Sequence, residues 1–154
     1  MAETSDVNAT QLDHDSRNKP IVVHVHNEQD VARARREAKA IAVVLNFSLI
    51  TEMEVLIAVT ELATNLHVHT RPGGRIILKQ IQVEDTTGIE VVSVDEGPGI
   101  ENIELALQDR YSTAGSMGCG LPAVKRLMDD FVLESQTRLG TNCGTRIMTR
   151  KWLK

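Results

Sequence analysis

The sequence predicts an α+β fold, a two-layer α/β sandwich in which helices cover one face of a mixed sheet. Three observations lead there. Stretches with strand-like and with helix-like apolar spacing follow one another in the order β-α-α-β-β-(α)-α-β-β. The 154 residues suit one domain. Hydrophobic residues make up 42% of the chain but aromatics only 3%, so the core that joins the layers must be built from Val, Ile, Leu, Ala and Met.

Residues 1–19 are polar, with Val7 and Leu12 as their few large apolar groups. They bury too little surface to offset ordering entropy, so they are expected to form a mobile tail ahead of a domain spanning 20–154. Residues 21–25 (IVVHV) predict the first strand. Asn27 offers an N-cap, with Glu28 and Asp30 in the first turn. Val31, Ala34, Ala38, Ile41 and Leu45 recur at steps of three and four and mark one stripe of an amphipathic helix. Residues 51–54 (TEME) have a capping-box pattern, which predicts a second helix to about His67. The run 71–74 (RPGG) then breaks the chain.

Two strands are predicted over 75–83 and 89–94, joined by a turn at 84–88. A short helix is expected near 103–107. A glycine-rich stretch over 115–120 leads into a helix with Pro122 near its start and Leu121, Val124, Leu127 and Met128 along one side. Strands over 131–137 and 145–152, around a Gly140/Gly144 turn, end the chain.

The formal net charge is −4, and no Lys/Arg block exceeds three residues, so nothing suggests nucleic acid as a partner. Cys119 and Cys143 belong to no metal-binding or CxxC spacing and fit a reducing compartment. There is no basic patch followed by an apolar stretch at the N-terminus, and apolar runs such as 41–45 are too short to span a bilayer. The expectation is a cytoplasmic protein without membrane association. The HxH pair His24/His26 lacks the further ligands of a metal site.

Three segments carry chemistry. On the second helix, Val55, Val59, Leu62, Ala63 and Leu66 cluster within about a third of the circumference, while Glu61 and Asn65 lie on the far side, about 40° apart, with Ala58 in line. A carboxylate and an amide one turn apart can hold a water or a hydrated cation and accept a proton; alone, the pair fits a solvated polar face better, since short motifs recur by chance. The run Asp95-Glu96-Gly97-Pro98-Gly99-Ile100 ends a strand in a carboxylate and two closely spaced glycines. Backbone there can approach a flat ligand, and Asp95 can accept a proton from an exocyclic amine such as adenine's. Alone, it also fits an ordinary tight turn. Ser112-Thr113-Ala114-Gly115-Ser116-Met117-Gly118-Cys119-Gly120-Leu121 opens a helix, where free N–H groups favour anions and glycines wrap phosphates. It lacks the Gly-Lys-Ser/Thr of a Walker loop and the setting of a dinucleotide fingerprint. Alone, it also fits a flexible linker.

Together and in this order, ExxxN on a helix, DxGxG after a strand, GxxGxGL opening a helix and Gly144-Thr145 entering a strand resemble the GHKL ATPase/kinase superfamily, over about residues 21–154. Within it, residues 111–115, residues 120–131 and the ending Lys151-Trp152-Leu153-Lys154 are similar to the switch-protein serine/threonine kinases of the bacterial stressosome, relatives of the anti-sigma-factor kinases. The resemblance implies a Bergerat-type (HATPase_c) fold and a site for ATP and Mg2+. It implies Glu61 as general base and Asn65 as magnesium ligand. Asp95 would hold the adenine amino group, with Gly97, Gly99 and Ile100 against the base and Thr145 beneath it. Gly115, Gly118 and Gly120 would form the lid over the phosphates, and Ser112, Thr113 and Leu121 would also belong to the nucleotide site.

The resemblance further implies phosphorylation of STAS-domain proteins of a stressosome-like scaffold, with release towards another partner such as a PP2C-type phosphatase. An anti-sigma kinase that sequesters a sigma factor is the neighbouring alternative, and the Lys151-Trp152-Leu153 ending favours the stressosome kinase. A histidine-kinase catalytic domain fits less well, because no dimerisation segment with a phospho-acceptor histidine precedes it. A nucleotide-binding module without chemistry is the alternative of another class; Glu61 argues against it, since a purely binding pocket needs no base there. His67 and His69 depart from the tyrosine or single histidine often found after the first motif, and either touch ATP or cover the pocket mouth. The tail before Pro20 has no counterpart in the resemblance.

Overall fold

The computed structural model of the chain describes residues 19–70, 73–108, 120–137 and 143–154. Residues 1–18 of the expected tail over 1–19 lie outside them. Nine elements follow in the order anticipated: β1 (Ile21–Val25), α1 (Glu28–Val44), α2 (Leu49–His69), β2 (Gly74–Val83), β3 (Thr86–Asp95), α3 (Ile103–Ala106), α4 (Gly120–Leu127), β4 (Asp130–Gln136) and β5 (Gly144–Trp152).

The caps explain most boundaries. Asn27 caps α1 as expected, its Oδ1 accepting the Asp30 N–H at 3.1 Å. The start of α2 differs: Ser48, not Thr51, is the N-cap, and its Oγ accepts the Thr51 N–H at 3.1 Å. Thr51 therefore sits inside the first turn, and the capping-box pattern at 51–54 is read one turn late. Ser48 becomes the cap because Asn46 takes a left-handed φ of 55° and turns the chain sharply after α1. Asn102 caps the single turn of α3 by accepting the Leu105 N–H at 2.9 Å.

The five strands run in the order β1-β2-β3-β5-β4. Every pairing is antiparallel, so the α+β class holds but the expected mixed sheet does not. The reason is topological. Between β1 and β2 lie two antiparallel helices, which return the chain to the sheet reversed, where one helix would return it parallel. The β3-α4-β4 passage does bring β4 back in the direction of β3, but β5 folds between them and pairs with both in the opposite sense.

Helices α1, α2 and α4 pack on one face of the sheet. The core between the layers is aliphatic, as composition required: Val23, Val25, Val55, Val59, Leu62, Leu66, Ile76, Leu78, Ile89, Val91 and Val124 are fully buried or nearly so. Each large member stabilises the fold by roughly 1.5–3 kcal/mol. On α1 the inward stripe is Ala34, Ala38 and Ala42, small side chains that admit the helix close to its neighbours.

Helix α2 departs from expectation in a way that bears on the site. Glu61 and Asn65 are not on its solvent side: Glu61 is 8% exposed and Ala58 is fully buried. The outward side instead carries Leu49, Ile50, Met53, Ile57 and Val68, all exposed. α2 is covered by the sheet and by both α1 and α4, so its buried arc is wider than one apolar stripe and takes in the two polar residues at its edge.

The C-terminal residues lock the end of the molecule where α2 begins and α4 ends. Lys151, only 7% exposed, places Nζ 2.7 Å from Glu54 Oε2 on α2 and donates to the Leu127 carbonyl of α4 at 2.6 Å. Asp129 accepts the Trp152 backbone N–H at 2.8 Å and pairs with Lys154 at 2.9 Å, while Trp152 Nε1 donates to Asp130 at 2.8 Å. Burial raises the Asp129 carboxyl, but the Trp152 N–H, the Lys154 hydrogen bond and the Lys151 charge outweigh it and hold the group below its ordinary value. A carboxyl depressed on folding stabilises above its unfolded pKa, and the contribution fades as pH falls through the lower folded pKa. Asp129→Asn should therefore lower the unfolding free energy by about 0.5–1 kcal/mol near pH 7, a value kept small by solvent around the exposed Lys154. Urea denaturation of the two proteins should show that difference closing below about pH 4; a difference constant with pH would mean that the Asp129 charge contributes nothing.

Candidate functional site

Backbone pairing sets the site. Val25 pairs with Gly74, Gly74 with Asp95, Asp95 with Thr145, and Thr145 with Ser135. These five residues form one row across all five strands. Alternation places Asp95 and Thr145 on the same face as Ile89, Val91 and Ile147, which are buried in the core against the helices. The row thus ends the core and begins a cavity of about 390 Å³ on the helix side, within the usual range for small-ligand sites.

The cavity wall comes from four places. The last turns of α2 supply Leu62, Asn65, Leu66, His69 and Thr70. β3 and the loop after it supply Ser93, Asp95, Pro98, Gly99 and Ile100. Ala106 of α3, with Gly120 and Leu121 opening α4, closes another side, and Thr145 and Ile147 of β5 form the floor. Of the residues singled out in the sequence, Asn65, Asp95, Gly99, Ile100, Gly120, Leu121 and Thr145 meet at this cavity. Gly97 stands behind the wall with its N–H on Asp95 Oδ1 at 2.8 Å. Glu61 precedes Asn65 by one helical turn and is buried. Gly115 and Gly118 of the expected lid, and the expected nucleotide-site residues Ser112 and Thr113, lie outside the described residues.

Asp95 is held by backbone. Its Oδ1 accepts the Gly97 N–H at 2.8 Å and the Thr145 N–H at 3.3 Å. Among the described residues, Oδ2 takes part in no hydrogen bond, which leaves a fixed carboxylate with one oxygen for a ligand. Two glycines make this geometry possible. At Gly99, with φ of 77°, a Cβ would stand 2.3 Å from the Gln136 carbonyl oxygen; at Gly144, with φ of 145°, one would stand 2.1 Å from the Asp95 carbonyl oxygen.

The two histidines after Asn65 separate in role. His69 borders the cavity. The His67 ring instead meets the His26 carbonyl through Nδ1 at 3.1 Å, tying the end of α2 to the end of β1.

Sequence reasoning passed over Ser135, Ser93 and Thr70. Ser135 had a readable signal: on β4 the alternation that turns Phe131 and Leu133 inward puts a hydroxyl at the next inward position. Ser93 interrupts the apolar face of β3 in the same way and is 5% exposed.

The chain matches a protein family described as histidine kinase-like ATPase domain over residues 25–150. It is 35% identical over 132 residues to the serine/threonine-protein kinase RsbT of Bacillus subtilis, a stretch covering 86% of this chain and 96% of that protein. It is 33% identical over 104 residues to the anti-sigma F factor of Clostridium acetobutylicum, covering 64% and 69% respectively. The fold is also that of the mycobacterial sensor histidine kinase MprB, at a TM-score of 0.53 and 16% identity over 88% of this chain and 97% of that one. It is likewise seen in the SiaB-SiaC complex of Pseudomonas aeruginosa, at a TM-score of 0.56 and 10% identity over 98% of this chain and the whole of that one.

The seating of the loop after β3 has a direct test. Gly99→Ala must either strain a left-handed φ or push the loop off Gln136, so it should cost roughly 2 kcal/mol of stability or more. Urea denaturation measures the loss, and amide exchange at Gly97 should quicken with it. Native stability with native exchange would show that the loop does not rest on β4.

Proposed function

We propose that this chain, which belongs to the histidine kinase-like ATPase family, is an ATP-dependent serine/threonine protein kinase. The observation that carries the reading is the convergence on one cavity of Asp95, fixed by two backbone N–H groups, and Asn65, with Glu61 one turn behind it. The likeness to a serine/threonine-protein kinase along nearly the whole of that relative supports it.

The residues fit the nucleotide. Asp95 Oδ2 is an acceptor for the adenine amino group. Leu62, Leu66, Ile100 and Ile147 offer apolar surface to the base, and Thr145 lies on the floor beneath it. The N-terminus of α4, at Gly120 and Leu121, presents N–H groups to the phosphates. Asn65 supplies one oxygen of the kind that magnesium takes alongside phosphate and water, and the ion, when bound, neutralises charge on the transferred phosphoryl group.

In this reading Glu61 accepts the proton of the substrate serine or threonine hydroxyl as its oxygen attacks the γ-phosphorus in line with the leaving ADP oxygen. Burial of Glu61, one helical turn before Asn65, limits competition from water. Catalysis is then positioning, charge stabilisation and base assistance. STAS-domain proteins of a stressosome-like scaffold are the proposed substrates, a PP2C-type phosphatase the partner after release, and the cytoplasm the compartment; among the described residues no helix is long and apolar enough to cross a membrane. A second reading, an anti-sigma kinase that also sequesters a sigma factor, is favoured by the likeness to anti-sigma F factors. Co-purified partners separate the two.

Because Glu61 is buried, its test uses Glu61→Gln, which keeps volume and hydrogen bonding. That variant should bind magnesium-ATP nearly as the native protein does and transfer phosphate roughly 10² to 10⁴ times more slowly. Asn65→Ala should lose nucleotide affinity and transfer together. Calorimetry and single-turnover transfer to a STAS protein, run on each variant, make the comparison. Native transfer by Glu61→Gln would end the base assignment; slow transfer caused only by lost affinity would make Glu61 a binding residue.

A further inference from the structure

Both ends of the Gly97 to Ile100 turn are tied to side chains of the row that crosses the sheet. At its start, Gly97 N–H is held by Asp95 Oδ1 at 2.8 Å. At its end, Ile100 N–H donates to Ser135 Oγ at 2.7 Å, across a sequence separation of 35. The same Oγ stands 2.9 Å from Thr145 Oγ1 and 3.3 Å from the Gly144 carbonyl. A hydroxyl has one proton and two lone pairs. Ser135 therefore accepts from Ile100 and shares a second bond with Thr145, and its proton is spent on either Thr145 or Gly144. Ile100 and Thr145 both border the cavity, whereas Ser135 does not.

We propose that Ser135 is a positioning residue of the adenine end of the site. It holds the Ile100 wall and the Thr145 hydroxyl in one geometry while touching no ligand itself. The proposal rests on the reading of the cavity as an ATP site. It goes further by naming a residue on the strand next to the site, outside every motif that suggested the site. Asp95 and Ser135 divide the work: one fixes the acceptor for the base together with the start of the loop, the other fixes the end of the loop and the floor. Removing the Ser135 hydroxyl leaves the Ile100 N–H without its acceptor and the Thr145 hydroxyl free to turn. The loop must then be ordered by the nucleotide rather than before it arrives.

The test is Ser135→Ala. In the nucleotide-free protein, amide exchange at Ile100 followed by NMR should quicken by about tenfold while exchange in the core of β3 keeps its native rate. Affinities for ATP and for ADP should fall by the same factor, roughly tenfold, because the defect lies at the base and not at the phosphates. Single-turnover transfer at saturating ATP should change far less than the ATP concentration needed to reach it. Ser135→Thr, which restores the hydroxyl, should recover affinity. Should the alanine variant fail to fold, Ser135→Cys keeps the volume and weakens the acceptor, and must show the same two effects in a folded chain. Native Ile100 exchange or native affinity in a folded variant overturns the proposal. A native protein that binds no ATP overturns the kinase reading as well, whatever the exchange at Ile100; a native protein that binds ATP beside a variant of equal affinity overturns this proposal alone.

Discussion

The working end of the molecule depends on one row of backbone pairing, in which Val25, Gly74, Asp95, Thr145 and Ser135 stand side by side on five strands. Antiparallel register fixes that row to within a residue, because a slip of one position would turn every side chain to the other face. On one side of the row the inward positions are apolar and packed; in the row itself Asp95 and Thr145 border a cavity, with Ser135 next to Thr145. A carboxylate at the end of a buried strand would be costly if it were loose and unpaired. Here two backbone N–H groups satisfy one oxygen and direct the other, which trades flexibility for a fixed recognition angle.

Helix α2 joins the two halves of the proposed chemistry. Its middle is core, with Val55, Val59 and Leu62 fully buried, and its last turns are cavity wall. Glu61 and Asn65 ride on the edge of that buried arc, so their positions are set by the packing of α1, α4 and the sheet rather than by local preference. The opposite end of α2 is clamped through Glu54 to Lys151. A helix held at its start by the C-terminal strand and along its length by the core cannot shift its polar pair relative to Asp95 without disturbing the fold, which suits a mechanism built on positioning.

How much of this was legible in the sequence depended on the range of each interaction. Asn27 could be read as a cap because its partner, Asp30, is three residues away. Asp95, Gly97 and Gly99 could be read because one turn gathers them. The antiparallel character of the whole sheet could not, since it depends on β5 folding between β3 and β4, a pairing over about fifty residues. The burial of Glu61 is not legible locally for a related reason: helical periodicity marks one apolar stripe, while two neighbouring helices widen the buried arc. Ser135 was hidden because its partners, Ile100 and Thr145, are 35 and 10 positions away. No local pattern announces it beyond a polar residue where alternation asks for an apolar one.

In the proposed function the fixed Asp95 carboxylate reads the exocyclic amine of adenine. Guanine presents a carbonyl oxygen at the corresponding position, which would meet the carboxylate as acceptor against acceptor. A site built around one hydrogen bond rejects an analogue that cannot make it far more strongly than an apolar pocket rejects an extra methylene. Calorimetric titration of the native protein with ATP and with GTP, each with magnesium, therefore measures this discrimination. ATP is expected to bind at least about a hundredfold more tightly than GTP; equal affinity for the two would remove Asp95 as the reader of adenine.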